Sequence, residues 1–316
     1  LMHRRVLAVG TAVAVCVVIP LFARDYNVAS SPPARALTGE RVGAAPDEEI
    51  GANGVPASLD RTAMYEELYS KLGYHKFLSL SHTVPLVKRN VNGFYRGKTV
   101  REATHVLDVG CSHGLAVKEM WKWGYCSRGI DLSPTAVKMA IEHRFAPVET
   151  KRRCGADEPF FKQGSAGAIP YPDRFFHAIV SADVLEHVPE GLVHQMVKEF
   201  TRVATQHLFF RIATQPEGEI IRHGMGGKAN EGFVGRLRGT ARQAETLHET
   251  VHGYDWWAVR FNSTGHWSCS QVWVKLFKSK EPSSDAASAD VAGGMRAGAD
   301  AMGRPASEIG IECRRI

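Results

Sequence analysis

The 316-residue sequence predicts an α/β fold built on a doubly wound, mostly parallel sheet. Three observations predict it. The first is VLDVGCSHG at 106–114, where an aliphatic run carrying an acid passes through small residues into a helical pattern. The second is the alternation of short apolar runs with helical patterns from residue 104 onward, which means parallel strands joined by crossover helices. The third is a row of polar residues, Asp108, Asp131, Ser165 and Asp183, each near the carboxyl end of an expected strand. Ligands of open α/β sheets bind along that edge.

The elements follow in chain order. Val6 to Phe22 is an uncharged apolar run of 17 residues, near the short end of the roughly 17–25 that span a bilayer. Arg4 and Arg5 precede it, which puts the N-terminus in the cytosol and the body in a lumen. Residues 1–24 therefore read as a signal-anchor, membrane-spanning segment. A cleaved signal peptide would have a shorter apolar region and a small-residue cleavage site, and Leu21-Phe22-Ala23 is a poor one. Residues 25–58 are rich in Ala, Gly, Pro and Ser and read as a flexible stem. Residues 281–316 have a similar composition and read as a disordered tail, which leaves 59–280 as the folded domain.

Within that domain, Met64, Leu68 and Leu72 fall at i, i+4 and i+8, so 61–95 begins with lead-in helices. Strands are expected at 104–109, 126–130, 159–162, 176–182 and 207–213, with VWVKLF at 272–277 closing the sheet. Helices are expected at 114–123, 134–144, 190–203 and 254–264. The 215–252 connection is long and carries Arg222, His223, Lys228, Arg236, Arg238 and Arg242. It reads either as a cationic lid over an anionic acceptor or as a solvated loop. The net charge of +6 is spread along the chain, so no nucleic-acid partner follows from it.

Small residues at Gly110, Ser112 and Gly114 let a ligand approach the backbone and let the chain turn sharply into a helix whose first N–H groups are free. Asp131 stands about 20 residues beyond that turn, where a carboxylate accepts hydrogen bonds from ribose hydroxyls. This fits a nicotinamide dinucleotide as well as S-adenosylmethionine. Asp108 favours the methyl donor, because a carboxylate before the first glycine suits an ammonium and a sulfonium and repels a pyrophosphate. The turn also lacks a GxGxxG continuation, since Leu115, Ala116 and Val117 follow Gly114.

On four motifs the chain resembles the class I S-adenosylmethionine-dependent methyltransferases of the type 11 group. They are VLDVGCSHG, GIDLSPTAV (129–137), QGSAGAIPYPDRFFHAIVSADVLEHVP (163–189) and HLFFRIAT (207–214). With the flanking helices the resemblance covers residues 100 to 278. Ser112 departs from it, standing where the group usually has glycine. The resemblance implies the Rossmann-like class I methyltransferase fold and S-adenosyl-L-methionine as cofactor. It implies cofactor contacts from Asp108, Gly110, Ser112, Gly114, Asp131, Leu132, Ser165, Ala166 and Asp183, with Gln163 and Ser165 near the adenine. For Ser165 the competing reading is a plain turn set by Gly164 and Gly167.

In SADVLEHVP (181–189), Asp183, Glu186 and His187 stand at i, i+3 and i+4 and share a face of one helical turn. A similar arrangement in ubiquinone-biosynthesis O-methyltransferases has a metal proposed at it. The sequence reading is nonetheless a site without metal, with Asp183, Glu186 and His187 as the alternative ligand set. His187 is a candidate general base toward a hydroxyl. In LHETVHGYDWWAVRFNSTGHW (247–267), His248 is the second catalytic candidate, His248 and His252 are candidates for facing the acceptor, and Trp256, Trp257 and Phe261 are expected to pack a helix on the sheet.

The expected activity is methyl transfer to an oxygen of a small molecule or glycan by direct displacement, in the lumen of the secretory pathway. The alternatives are a metal-assisted quinone or phenol O-methyltransferase, a non-catalytic cofactor-binding module, and an organellar or secreted location. Two further features bear on the compartment. Asn262-Ser263-Thr264 is an N-glycosylation pattern. Cys126, Cys154, Cys269 and Cys313 could oxidise in a lumen, although no spacing demands it.

Overall fold

The computed structural model describes residues 50, 54–56, 59–71, 86, 104–155, 157–215, 247–276 and 306–316. The apolar run at 6–22, the 216–246 part of the long connection and residues 72–85 and 87–103 of the lead-in segment lie outside the described residues. No helix among the described residues is long and apolar enough to cross a membrane.

The first helix is α1 (Thr62–Ser70). The chain then alternates through β1 (His105–Val109), α2 (Leu115–Lys122), β2 (Cys126–Asp131), α3 (Pro134–His143), α4 (Val148–Cys154), β3 (Phe161–Gln163) and β4 (Phe176–Ala182). After one 3-10 turn at Leu185–His187 come α5 (Glu190–Val203), β5 (Ala204–Ala213), α6 (Tyr254–Asn262), β6 (Trp267–Leu276) and β7 (Ala306–Arg315). The described strands form one seven-stranded sheet in the order β3-β2-β1-β4-β5-β7-β6. Strands β3 through β5 are parallel to one another, and β7 runs antiparallel to both β5 and β6.

Successive residues of a strand point to opposite faces. Leu107 belongs to the core that contains Met196 and Phe200 of α5 with Trp257 and Phe261 of α6. Val106, one residue earlier, belongs to the core with Val117, Met120 and Trp121 of α2 and Val137 of α3. Both faces of the sheet are therefore covered, as a parallel sheet requires. Helix α3 starts cleanly because Ser133 caps it, its hydroxyl accepting from the Ala136 N–H, with Pro134 in the first turn.

Four expectations are corrected. The tail is not disordered throughout, since residues 306–315 form β7 between β5 and β6. Ile309, Ile311 and Cys313 are buried there and provide the apolar surface that the Ala/Gly/Ser-rich stretch before them lacks. The stem is not free to its end either: Val55 is 1% exposed within the main core, and Ile50 bridges Pro56. The closing strand starts at Trp267, not at 272. Helix α4 was not expected; its Pro147 start and buried Thr150 and Cys154 make it a short surface helix.

Two disulfides, Cys126–Cys154 and Cys269–Cys313, tie β2 to α4 and β6 to β7. Cys269 and Cys313 are direct cross-strand partners in the register. Cys111 is the free cysteine among the described residues, and it is buried. The Cys269–Cys313 bridge closes a 44-residue separation, so replacing both cysteines with serine is expected to cost roughly 2–4 kcal/mol of stability. Urea unfolding of the two proteins measures this; equal midpoints would show that the bridge does not constrain β7.

Candidate active site at the carboxyl edge of the sheet

The turn after β1 is built to be tight. Gly110 and Gly114 have φ of 76° and Ser112 has φ of 50°, all in the left-handed region. Both Gly110 N–H and Cys111 N–H donate to the Ile130 carbonyl at 2.9 Å, which ties the turn to β2. Gly129 in β2 leaves room for the Cys111 side chain, whose sulfur would lie 2.6 Å from a Cβ there. Gly110 lies equally close to the segment after β4, because a Cβ on it would meet Val184 Cγ2 at 2.3 Å.

Asp108 and Asp131 are both buried at this edge. Asp131 Oδ2 accepts from the Ser112 N–H at 2.8 Å, and its Oδ1 accepts from the Ser133 N–H at 3.0 Å. The one carboxylate therefore holds the glycine turn and the start of α3 together. Burial pushes Asp131 up to about 6 against the opposing pull of those N–H groups. Burial, then the neighbouring Asp131, pushes Asp108 up to about 8. Two neighbouring acids held away from water favour a cationic ligand.

The other expected residues fall as follows. Leu132 is half-buried, and its carbonyl accepts from Gln163 Nε2 at 3.3 Å. Ser165 Oγ accepts from the Gly167 N–H at 3.1 Å, and Ser165 bridges Ala168, so the serine shapes its own turn. Ala166 packs against the core. Asp183 has φ of 56° and pairs with Arg211, Oδ2 to Nη1 at 3.3 Å; Arg211 also holds Glu308 of β7 at 2.9 Å.

Beyond Asp183, the structure brings together Glu186, His187 and His248. Asp183 is not in this group, which corrects the set read from the sequence: its carboxylate is turned to Arg211, and His248 takes its place. The link is made by backbone, since the Glu249 and Thr250 N–H groups donate to the Glu186 carbonyl at 2.8 and 2.9 Å. The rings of His187 and His248 stand edge to face with centroids 4.7 Å apart. Burial, then His248, holds His187 down to about 3, and burial also lowers His248. Both rings are neutral at pH 7, and a nitrogen held that low draws a proton from a free hydroxyl poorly. His252 stands apart from this pair, stacked on Trp256 with centroids 3.8 Å apart.

Sequence reasoning missed the part played by α1. Glu66 Oε2 accepts from the Ser133 hydroxyl at 2.8 Å and the Thr135 N–H at 3.0 Å. Arg61 grips Glu249 with two bonds of 2.7 and 2.8 Å. The lead-in helix thus fastens to both sides of the site, at the start of α3 and beside His248. The amphipathic spacing announced a helix, but nothing local to it names these distant partners.

Residues 107–209 match the sequence profile of a family described as "Methyltransferase domain". No curated protein sequence matches the chain. Among solved structures it is similar to YcgJ of Bacillus subtilis at 17% identity, with 72% of this chain and 98% of that one covered and a TM-score of 0.42. It is also similar to the magnesium protoporphyrin IX methyltransferase of Synechocystis, solved with bound S-adenosylhomocysteine, at 13% identity, 80% and 99% coverage and a TM-score of 0.44. Residues 107–209 thus resemble a methyltransferase domain, and the described strand order, parallel from β3 through β5, is that of a Rossmann-like sheet.

Proposed function

We propose that the chain transfers the methyl group of S-adenosylmethionine to an oxygen of a small molecule or glycan, in the lumen of the secretory pathway. One observation carries the reading. The acid-lined glycine turn and the Glu186–His187–His248 group lie along one strand edge, joined by the contact of Gly110 with Val184. A donor on the first and an acceptor on the second would meet across that contact. In this reading Asp131 and Leu132 face the ribose, while Asp108, Gly110, Ser112 and Gly114 hold the cationic amino-acid end. Ser165 and Ala166 border the adenine, and Asp183 stands at the junction with the acceptor.

The sulfonium is already an activated donor, so the protein mainly supplies position. The acceptor oxygen attacks the methyl carbon in line, the C–S bonding pair returns to sulfur, and the acceptor's proton leaves to water. Arg222, His223, Lys228, Arg236, Arg238 and Arg242 of the 215–252 connection suit an anionic acceptor, such as an acidic sugar or a carboxylate.

The two disulfides support the lumenal assignment, because such bonds persist in oxidising compartments. The apolar run at 6–22 would then anchor the chain in the membrane. Asn262 is exposed, as glycosylation in a lumen requires.

Calorimetry on the full chain is expected to show one bound S-adenosylmethionine, and labelled methyl groups are expected to pass into an acidic-glycan fraction in alkali-labile or ether linkage. A chain that binds the cofactor yet labels nothing would favour the non-catalytic module. Peptide-N-glycosidase should shift the mobility of the chain from secretory cells and leave that of Asn262→Gln unchanged; a chain facing the cytosol would show no shift.

A further inference from the structure

We propose that Glu186, His187 and His248 bind a divalent transition-metal ion, of the kind zinc represents, on the acceptor side of the site. One ligand atom from each residue lies within 4.8 Å of the others. Around tetrahedral zinc, with ligands at about 2.1 Å, such atoms stand about 3.4 Å apart, so small side-chain shifts close the set.

Three features of the surroundings point to an ion. The first is the tautomer of each ring. His187 Nδ1 lies 2.8 Å from the Leu247 carbonyl, and His248 Nδ1 lies 2.6 Å from the Gln215 carbonyl. A carbonyl oxygen can only accept, so both Nδ1 atoms carry the proton and both Nε2 atoms carry the lone pair. Metal-binding histidines are oriented in this way, with the non-ligating N–H fixed by a carbonyl or carboxylate. The second is Glu186. It is fully buried, its Oε1 accepts from the Ala213 N–H at 3.0 Å, and its Oε2 has no hydrogen-bond partner. An unpartnered carboxylate oxygen out of water is costly unless a cation meets it. The third is access: His187 keeps part of its surface exposed, so an ion has a way in.

Two imidazoles and a carboxylate suit zinc, iron or nickel better than magnesium or calcium, which prefer all-oxygen sets. Three protein ligands leave one position open, as in sites that hold a water or a substrate oxygen. Placing the acceptor hydroxyl at that position rests on the proposed methyl transfer; binding of the ion does not.

Chelator-treated full-length protein titrated with cobalt is expected to take up one ion per chain, with the visible absorption of a four- or five-coordinate site, and to release it to zinc. Glu186→Gln and His248→Ala should each weaken zinc binding at least about tenfold, while Asp183→Asn leaves it within about threefold. Thermal unfolding, measured on the same samples, reports whether each variant folds, and S-adenosylmethionine affinity stands or falls with the methyltransferase reading alone. X-ray absorption of the zinc-loaded wild type should show two imidazoles and no sulfur, which decides the matter even if both variants unfold. No stoichiometric uptake by the wild type, a sulfur-bound ion, or equal affinity in both folded variants would overturn the proposal.

Discussion

Asp131→Ala is expected to weaken S-adenosylmethionine binding by about 100-fold, because hydrogen bonds to a charged group are worth roughly 1.5–3 kcal/mol and in the proposed seat two ribose hydroxyls would share this carboxylate. The same side chain holds the Ser112 and Ser133 N–H groups. Alanine therefore also loosens the turn that receives the ligand, and some loss of melting temperature should accompany the loss of affinity. Asp131→Asn separates the two effects, since an amide keeps one acceptor for the turn and removes the charge. Calorimetry with thermal unfolding on all three proteins reads both. Wild-type affinity in a folded Asp131→Ala would remove this residue from the cofactor seat.

The same acids fix the sign of a pH dependence. Asp131 is held up at about 6 and Asp108 at about 8. A cationic ligand favours both ionised forms, so affinity should fall as pH drops from 8 toward 5, and binding near pH 7 should release protons into the buffer. Stability of the ligand-free chain runs the other way. Each folded pKa lies above its unfolded value, so the folded state holds more protons between about 4 and 8, and these groups contribute less stability as pH rises through that window. Opposite slopes for affinity and for ligand-free stability would thus identify the pair; parallel slopes would not.

The central strand–turn–helix was legible because its signals are local. Val106, Leu107 and Val109 suit a strand, small residues suit a turn, and Leu115 to Trp121 recur at helical spacing. The acids at strand ends were legible for the same reason, since each strand points its own carboxyl end to one edge. The long-range parts were not. Strand β7 shows its alternation at Ile309, Ile311 and Cys313, but the Ala/Gly/Ser run before it gives no hint that the chain returns to the sheet. The cysteine pairs close separations of 28 and 44 residues, set by strand register and helix docking rather than by spacing. His248 joins Glu186 through backbone hydrogen bonds from the residues after it, a contact that carries no periodicity. Asp183 was grouped with Glu186 and His187 on helical spacing, whereas the competing attraction of Arg211 is a matter of tertiary structure.

Gly110→Ala is expected to destabilise the chain by about 2–5 kcal/mol and to impair cofactor binding with it. Two causes add. An L-residue at φ of 76° costs roughly 1–2 kcal/mol. The new methyl would also stand 2.3 Å from Val184 Cγ2, against the roughly 3.5–4.0 Å at which carbon atoms pack, and overpacking of this kind costs about 1–3 kcal/mol. Val184 has little room to give way, because the buried Leu185 and Glu186 follow it directly. Adding Val184→Ala should remove the clash and leave the backbone strain, so the double variant should recover about half of the lost stability. Full recovery would mean that φ at this position matters little, and no recovery would mean that Val184 is not what the glycine accommodates. The same push acts on both halves of the site. A methyl at residue 110 moves Val184 away from the glycine turn and, through the chain, moves Glu186 and His187. Cofactor affinity and metal affinity should therefore fall together in Gly110→Ala and rise together in the double variant, whereas Asp131→Ala should lower cofactor affinity and leave zinc binding in place.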